Sequence, residues 1–120
     1  RWPWNDVISI AFAVNQPPVL YVRVNSRCLS PVELQQRWRD AGIDASVVAG
    51  LPALRVDNPG PVERLPGYSD GWWTPQDLTA MRAALLLNPS PGDRVWDICA
   101  APGTKTTHLA ELATPAGSVI

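Results

Sequence analysis

Residues 97 to 107 read Asp-Ile-Cys-Ala-Ala-Pro-Gly-Thr-Lys-Thr-Thr, a run of small, thiol, hydroxyl and charged side chains. It lies between a short apolar segment, Arg94 to Ile98, and an apolar-periodic segment, Thr106 to Ala113. That order predicts a strand, a tight loop and a helix. Ala100, Ala101 and Gly103 carry almost no side chain, so a ligand can come close to the loop's backbone N–H groups and to the helix N-terminus. The chemistry on offer is cofactor binding. An ordinary strand-to-helix turn is the plainer alternative.

Two familiar cofactor loops fail on these residues. A phosphate-cradling P-loop needs glycine six positions before its lysine and again immediately before it. Counting back from Lys105, those positions hold Cys99 and Thr104. The dinucleotide pattern Gly-x-Gly-x-x-Gly also fails, because Gly103 is the only glycine in the run.

The run resembles the first S-adenosylmethionine motif of the RNA cytosine-C5 methyltransferases of the Nol/Nop/Sun family, usually Asp-x-Cys-Ala-Ala-Pro-Gly-Gly-Lys-Thr. The departure is Thr104, where the family has a second glycine. A positive φ there would strain a threonine by ~1 kcal/mol or more. Upstream, Leu65-Pro-Gly-Tyr-Ser-Asp-Gly-Trp-Trp-Thr-Pro-Gln-Asp77 is similar to the segment that precedes the family's cofactor domain. Pro17-Pro18-Val19-Leu20-Tyr21-Val22-Arg23-Val24-Asn25 is similar to its small N-terminal subdomain, which opens Pro-Pro, then a strand, then Arg-x-Asn. Order and spacing suit the bacterial branch that methylates 16S ribosomal RNA.

The resemblance implies a chemistry. Cytosine C5 is a poor nucleophile, so the family's enzymes add a cysteine thiolate to C6, and C5 then attacks the cofactor methyl group. A base then removes the C5 proton and the thiolate leaves. The family's nucleophilic cysteine stands in a Thr-Cys segment and a second cysteine in a Pro-Cys segment, both downstream of the cofactor loop, and neither segment occurs here. No catalytic residue is therefore expected in this chain. Cys99, Ala100, Ala101, Pro102, Gly103, Thr104 and Lys105 are expected to bind S-adenosylmethionine, with Lys105 contacting its carboxylate or capping the loop. Asp97 either meets the cofactor's amino group or orients the turn by hydrogen bonding. Cys99, following a strand expected to be buried, lines the pocket in this reading and is not a nucleophile. The acidic residue that grips the ribose is expected just after Ile120, so cofactor binding by these residues alone is expected to be weak or absent. His108, the only histidine, is expected to be solvated or packed and not a general base.

The elements that must position this loop fall into four stretches: a helical lead-in over 1–16, a small α+β subdomain over 17–56, a Pro/Gly-rich connector over 57–73, and the start of the methyltransferase domain over 74–120. The fold class expected is thus an α+β unit followed by the first, incomplete part of an α/β Rossmann-like domain. Leu20, Val22 and Val24 alternate with Tyr21 and Arg23, the pattern of a half-buried strand. Ser30-Pro31-Val32-Glu33 reads as a capping box with proline at the first helical position. Leu34, Trp38 and Ala41 form an inward stripe, and Gly42 ends the helix as a left-handed cap. Val47-Val48 and Leu54-Arg55-Val56 read as returning strands. Trp72 and Trp73 either stack on RNA bases or wedge the two subdomains together. Thr74 reads as an N-cap with Asp77 three positions on; Leu78, Met81 and Leu85 then form a helical stripe, stopped at Asn88-Pro89. Ser118-Val119-Ile120 reads as the start of a second parallel strand, and Val7 to Val14 as a packed helix end.

Composition sets outer limits. A chain of 120 residues with 46% hydrophobic and 18% charged residues is globular, not disordered. No apolar run approaches the ~20 residues of a membrane span, and no charged-then-apolar signal peptide opens the chain. Cys28 and Cys99 make neither a metal nor a disulfide framework, which fits a reducing cytoplasm. Ten Lys and Arg oppose eleven Asp and Glu, which argues against a broad RNA-binding face. Arg23, Arg27, Arg37 and Arg39 form at most a local patch, the alternative being a solvated surface. A parallel sheet of one and a half strands is expected to seek a partner, so self-association is expected. Two readings remain open at this level. One is the front of a ribosomal RNA cytosine-C5 methyltransferase; the other is a non-catalytic RNA-associated or interaction module with a degenerate cofactor loop.

Overall fold

The computed structural model describes residues 2–16, 19–57 and 59–120; Pro17 and Pro18, the start of the expected subdomain, lie outside them. A helix, α1 (Trp4–Val14), leads in. Strand β1 (Leu20–Val24) follows, then helix α2 (Pro31–Asp40), strands β2 (Ala45–Val47) and β3 (Ala53–Val56), and a short 3-10 turn at Val62–Arg64. The second half holds β4 (Trp73–Pro75), α3 (Leu78–Leu87), β5 (Arg94–Val95), α4 (Thr104–Ala113) and β6 (Ser118–Val119).

The first four strands make one antiparallel sheet in the order β2-β3-β1-β4. Its central pairing sets Val22 opposite Leu54 and Arg23 opposite Ala53. One face of β1 presents Val22 and Val24 to a core that also holds Leu29, Leu34, Trp38, Leu54, Val56, Leu65 and Trp73. Helix α2 delivers Leu34 and Trp38 to it. Its start is fixed by Ser30 and Glu33, whose side chains each accept a hydrogen bond from the other's backbone N–H. Gly42 takes the left-handed conformation just beyond its end. Ala41 is exposed, so the inward stripe is shorter than the spacing implied. Trp38 and Trp73 meet edge to face at 5.3 Å, and both indole N–H groups donate to the carbonyl of Pro66, at 3.0 and 2.8 Å. Burying two such rings with both polar tips satisfied anchors the connector to the sheet.

Trp73 therefore wedges the core, and its ring has no face left for a nucleic-acid base. Trp72 is half-buried beneath the guanidinium of Arg37, which lies 4.5 Å from its ring centroid. Two expectations for this region are corrected. Thr74 is not an N-cap: it lies in β4, paired with Arg23, and Asp77 caps α3 by accepting the Thr79 N–H at 2.7 Å. Ladder pairing with β1 takes the backbone that a capping box would have used. Helix α1 is likewise not packed, since none of its residues is buried.

Helix α3 ends at Asn88, in the left-handed conformation (φ 46°), and packs against α4. Met81, Ala84, Leu109 and Ala113 are buried there. Strands β5 and β6 pair in parallel, Arg94 with Ser118 and Val95 with Val119, with α4 between them in the chain. Gly117 permits that return: a Cβ there would lie 2.3 Å from the Ala113 carbonyl oxygen.

Candidate functional site

The loop from Trp96 to Gly103 joins β5 to α4. Its turn closes through the Gly103 N–H, which donates to the Ala100 carbonyl at 2.6 Å, and Gly103 takes φ 104°. That value lies in the region open to glycine and costly for residues with a Cβ. Thr104 is the first residue of α4, and Asn88 is the only non-glycine with positive φ among the described residues. The strain expected at Thr104 is absent, because the left-handed step falls one residue earlier.

Asp97 braces the loop from both ends. Its carboxylate accepts the Cys99 N–H at 3.2 Å and the Thr106 hydroxyl at 2.6 Å, tying the start of the loop to the first turn of α4. No side chain caps α4, so its leading N–H groups face the loop without a side-chain acceptor. Ala100, Ala101, Pro102 and Lys105 are exposed, and Gly103 and Thr104 half-buried. Cys99 is exposed as well: the segment before it is not a buried strand, with Trp96 76% and Ile98 96% exposed. Cys28 is also a free, exposed thiol. Among the described residues no group of His, Cys, Asp and Glu is arranged to hold a metal, and no helix is long and apolar enough to cross a membrane.

The strongest polar cluster lies behind the loop. Arg23 is 1% exposed, not solvated as the strand alternation suggested, because its guanidinium is enclosed by Gln76 and by Thr104, Thr107 and Glu111 of α4. Its Nε donates to Gln76 Oε1 at 2.7 Å, and its Nη2 donates to Thr107 Oγ1 at 2.9 Å and to the Thr104 carbonyl at 3.4 Å. Its Nη1 pairs with Glu111. A buried guanidinium is tolerable only when matched in this way. Asn25, two residues on, donates its side-chain amide to the Gly71 carbonyl at 3.0 Å and its backbone N–H to the Trp72 carbonyl at 2.8 Å. The Arg-x-Asn pair thus holds α4 with one member and the connector with the other.

His108, beside this cluster, is 2% exposed. Burial, aided by the nearby Arg23 charge, lowers its pKa from 6.5 to about 4. His108 Nδ1 and Gln76 Nε2 are buried without hydrogen-bond partners. Sequence reasoning missed Thr107 and Glu111. The available signal was their spacing with Thr104, which puts three polar groups on one face of a helix that is otherwise partly apolar.

Known proteins match along the same lines. Residues 84–120 match the family described as 16S rRNA methyltransferase RsmB/F, and residues 1–63 match the RsmF/B-like methyltransferase ferredoxin-like domain. A probable ribosomal RNA small subunit methyltransferase B from Synechocystis is 40% identical over 120 residues, covering 98% of this chain and 27% of the relative. The ribosomal RNA small subunit methyltransferase B of Klebsiella pneumoniae is 39% identical over 118 residues, covering 96% of this chain and 27% of the relative. A solved methyltransferase homolog from Pyrococcus horikoshii superposes with a TM-score of 0.79 at 29% identity, over 97% of this chain and 39% of that one. The chain thus spans 27% of the length of those two curated relatives.

Proposed function

The chain belongs to the RsmF/B-like methyltransferase family, and from that premise we propose that it is the N-terminal portion of an S-adenosylmethionine-dependent RNA cytosine-C5 methyltransferase acting in the cytoplasm on 16S ribosomal RNA. The ferredoxin-like unit precedes a β5–α4–β6 unit that we read as the opening of a Rossmann-like cofactor domain. The divisions at 16/17, 56/57 and 73/74 serve as working boundaries, with β4 bridging the last of them.

One observation carries the reading. The small-residue loop 99–105 ends at an uncapped helix N-terminus and is held open by Asp97. Backbone amides and a helix dipole at that point suit a carboxylate. In this reading Cys99 to Thr104 hold the methionine portion of S-adenosylmethionine through their backbone, and Lys105 supplies a positive charge for its carboxylate. Asp97 spends its carboxylate on the turn, which makes it a brace. When bound, the cofactor supplies an electrophilic methyl group. The catalytic cysteines lie outside these residues, so the work of this chain is to bind, orient and present.

Thr104, the one departure from the motif, sits at the first position of regular helix and gives no support to the degenerate-loop alternative. The test is to express the protein from its complete coding region with unmodified 16S rRNA and S-adenosylmethionine. Nucleoside mass spectrometry should then find 5-methylcytidine, abolished by Lys105→Ala combined with Gly103→Val. Failure to methylate any RNA cytosine would overturn the proposal.

A further inference from the structure

We propose that Arg23 is the positioning residue of the cofactor loop. Its guanidinium, carried by the N-terminal sheet, holds α4 and therefore residues 99–105 in the orientation that binding requires. This inference rests on the cofactor reading above.

The guanidinium reaches α4 at three levels. It contacts the Thr104 carbonyl, the Thr107 hydroxyl and the Glu111 carboxylate, which lie along one face of that helix. The Thr107 hydroxyl in turn contacts the carbonyls of Gly103 (3.0 Å) and Thr104 (3.1 Å). A polar relay therefore runs from the middle of β1 to the left-handed glycine that closes the loop. On its other side the guanidinium is fixed by Gln76, one residue beyond β4. Only a planar fork can serve Gln76, Thr107 and Glu111 at once, and a lysine offers a single flexible point charge. Between loop and sheet there is thus a direct polar link, and anything that shifts β1 against α4 must also shift the loop. By reciprocity, a ligand that orders the loop must tighten the sheet–helix contact by the same free energy.

The test uses the protein from its complete coding region and two variants. Arg23→Lys keeps the charge and loses the fork. The double variant Arg23→Met/Glu111→Met removes both charges, so no buried ion is stranded if the single variant fails to fold. S-adenosylhomocysteine affinity is measured by calorimetry, and amide hydrogen exchange is followed in two regions, 97–107 and 45–56. Both variants should bind at least about tenfold more weakly, with exchange accelerated at 97–107 and unchanged at 45–56. Affinity within about twofold of the parent, or acceleration spread evenly over both regions, would overturn the proposal. If the parent binds no S-adenosylhomocysteine, exchange still decides. Selective release at 97–107 would then uphold positioning and discard the cofactor reading, and uniform release would discard positioning.

Discussion

Arg23 and Glu111, 88 positions apart, form an ion pair sealed between the N-terminal sheet and α4, the helix that follows the small-residue loop. Their side chains are 1% and 12% exposed, so water does little to screen the pair. Removing one partner leaves the other charge buried and unmatched, the costly way to break such a contact. Glu111→Ala should therefore lower unfolding stability by about 3 kcal/mol or more, read from urea titration. A loss below about 1 kcal/mol, the range of exposed pairs, would show that the pair is solvated.

The single histidine gives the protein a specific acid sensitivity. His108 is neutral in the folded state down to about pH 4, whereas an unfolded histidine takes up its proton near 6.5. Between those values the unfolded state binds more protons, so stability falls as pH drops through this window. The accumulated loss is on the order of 3 kcal/mol at its lower end. His108→Leu should flatten the decline between about pH 6.5 and 5, where most carboxylates remain ionised. A parent protein whose urea midpoint is constant across that range would contradict the assignment.

Exposed apolar surface predicts self-association of residues 1–120. Trp96, Ile98, Ile120 and Leu87 beside the two-stranded sheet are exposed, as are Trp2, Trp4 and Phe12 around α1. Patches of this kind, together with an unpaired parallel edge, seek partners. Sedimentation of the isolated residues should show mass rising with concentration. A single monomeric species at high concentration would count against it.

The same exposure bears on the cofactor. Ligand sites normally bury most of their ligand, and here Ala100, Ala101, Pro102 and Lys105 stand open to solvent. Residues 1–120 alone should give no calorimetric signal with S-adenosylhomocysteine at micromolar concentration. Micromolar binding would mean that the loop and α4 suffice for the site.

Much of this arrangement was legible in the residues, wherever the signal is local. The Ser30–Glu33 capping box, the helix stop at Asn88 and the parallel partnership of Arg94–Val95 with Ser118–Val119 all follow from short-range chemistry. What was illegible depended on distant segments. Alternation along β1 marks one face as apolar, but whether the other face meets water depends on α4, 84 positions from Arg23 at Thr107. Thr74 and Asp77 imitate a capping box, and only the neighbouring strand decides that Thr74 extends a sheet instead. Residues 7–14 are apolar enough to suggest packing, yet none is buried. At the loop, the residue types did not tell which of Gly103 and Thr104 would take the left-handed step.

In the proposed function, residues 99–105, braced by Asp97 and backed by Arg23, form the S-adenosylmethionine loop. Hydrogen exchange of the protein from its complete coding region, with and without S-adenosylhomocysteine, tests it most directly. Bound ligand should slow exchange in peptides covering 97–107, with smaller protection in β1. Saturating ligand that leaves 97–107 unchanged while protecting another segment would contradict it.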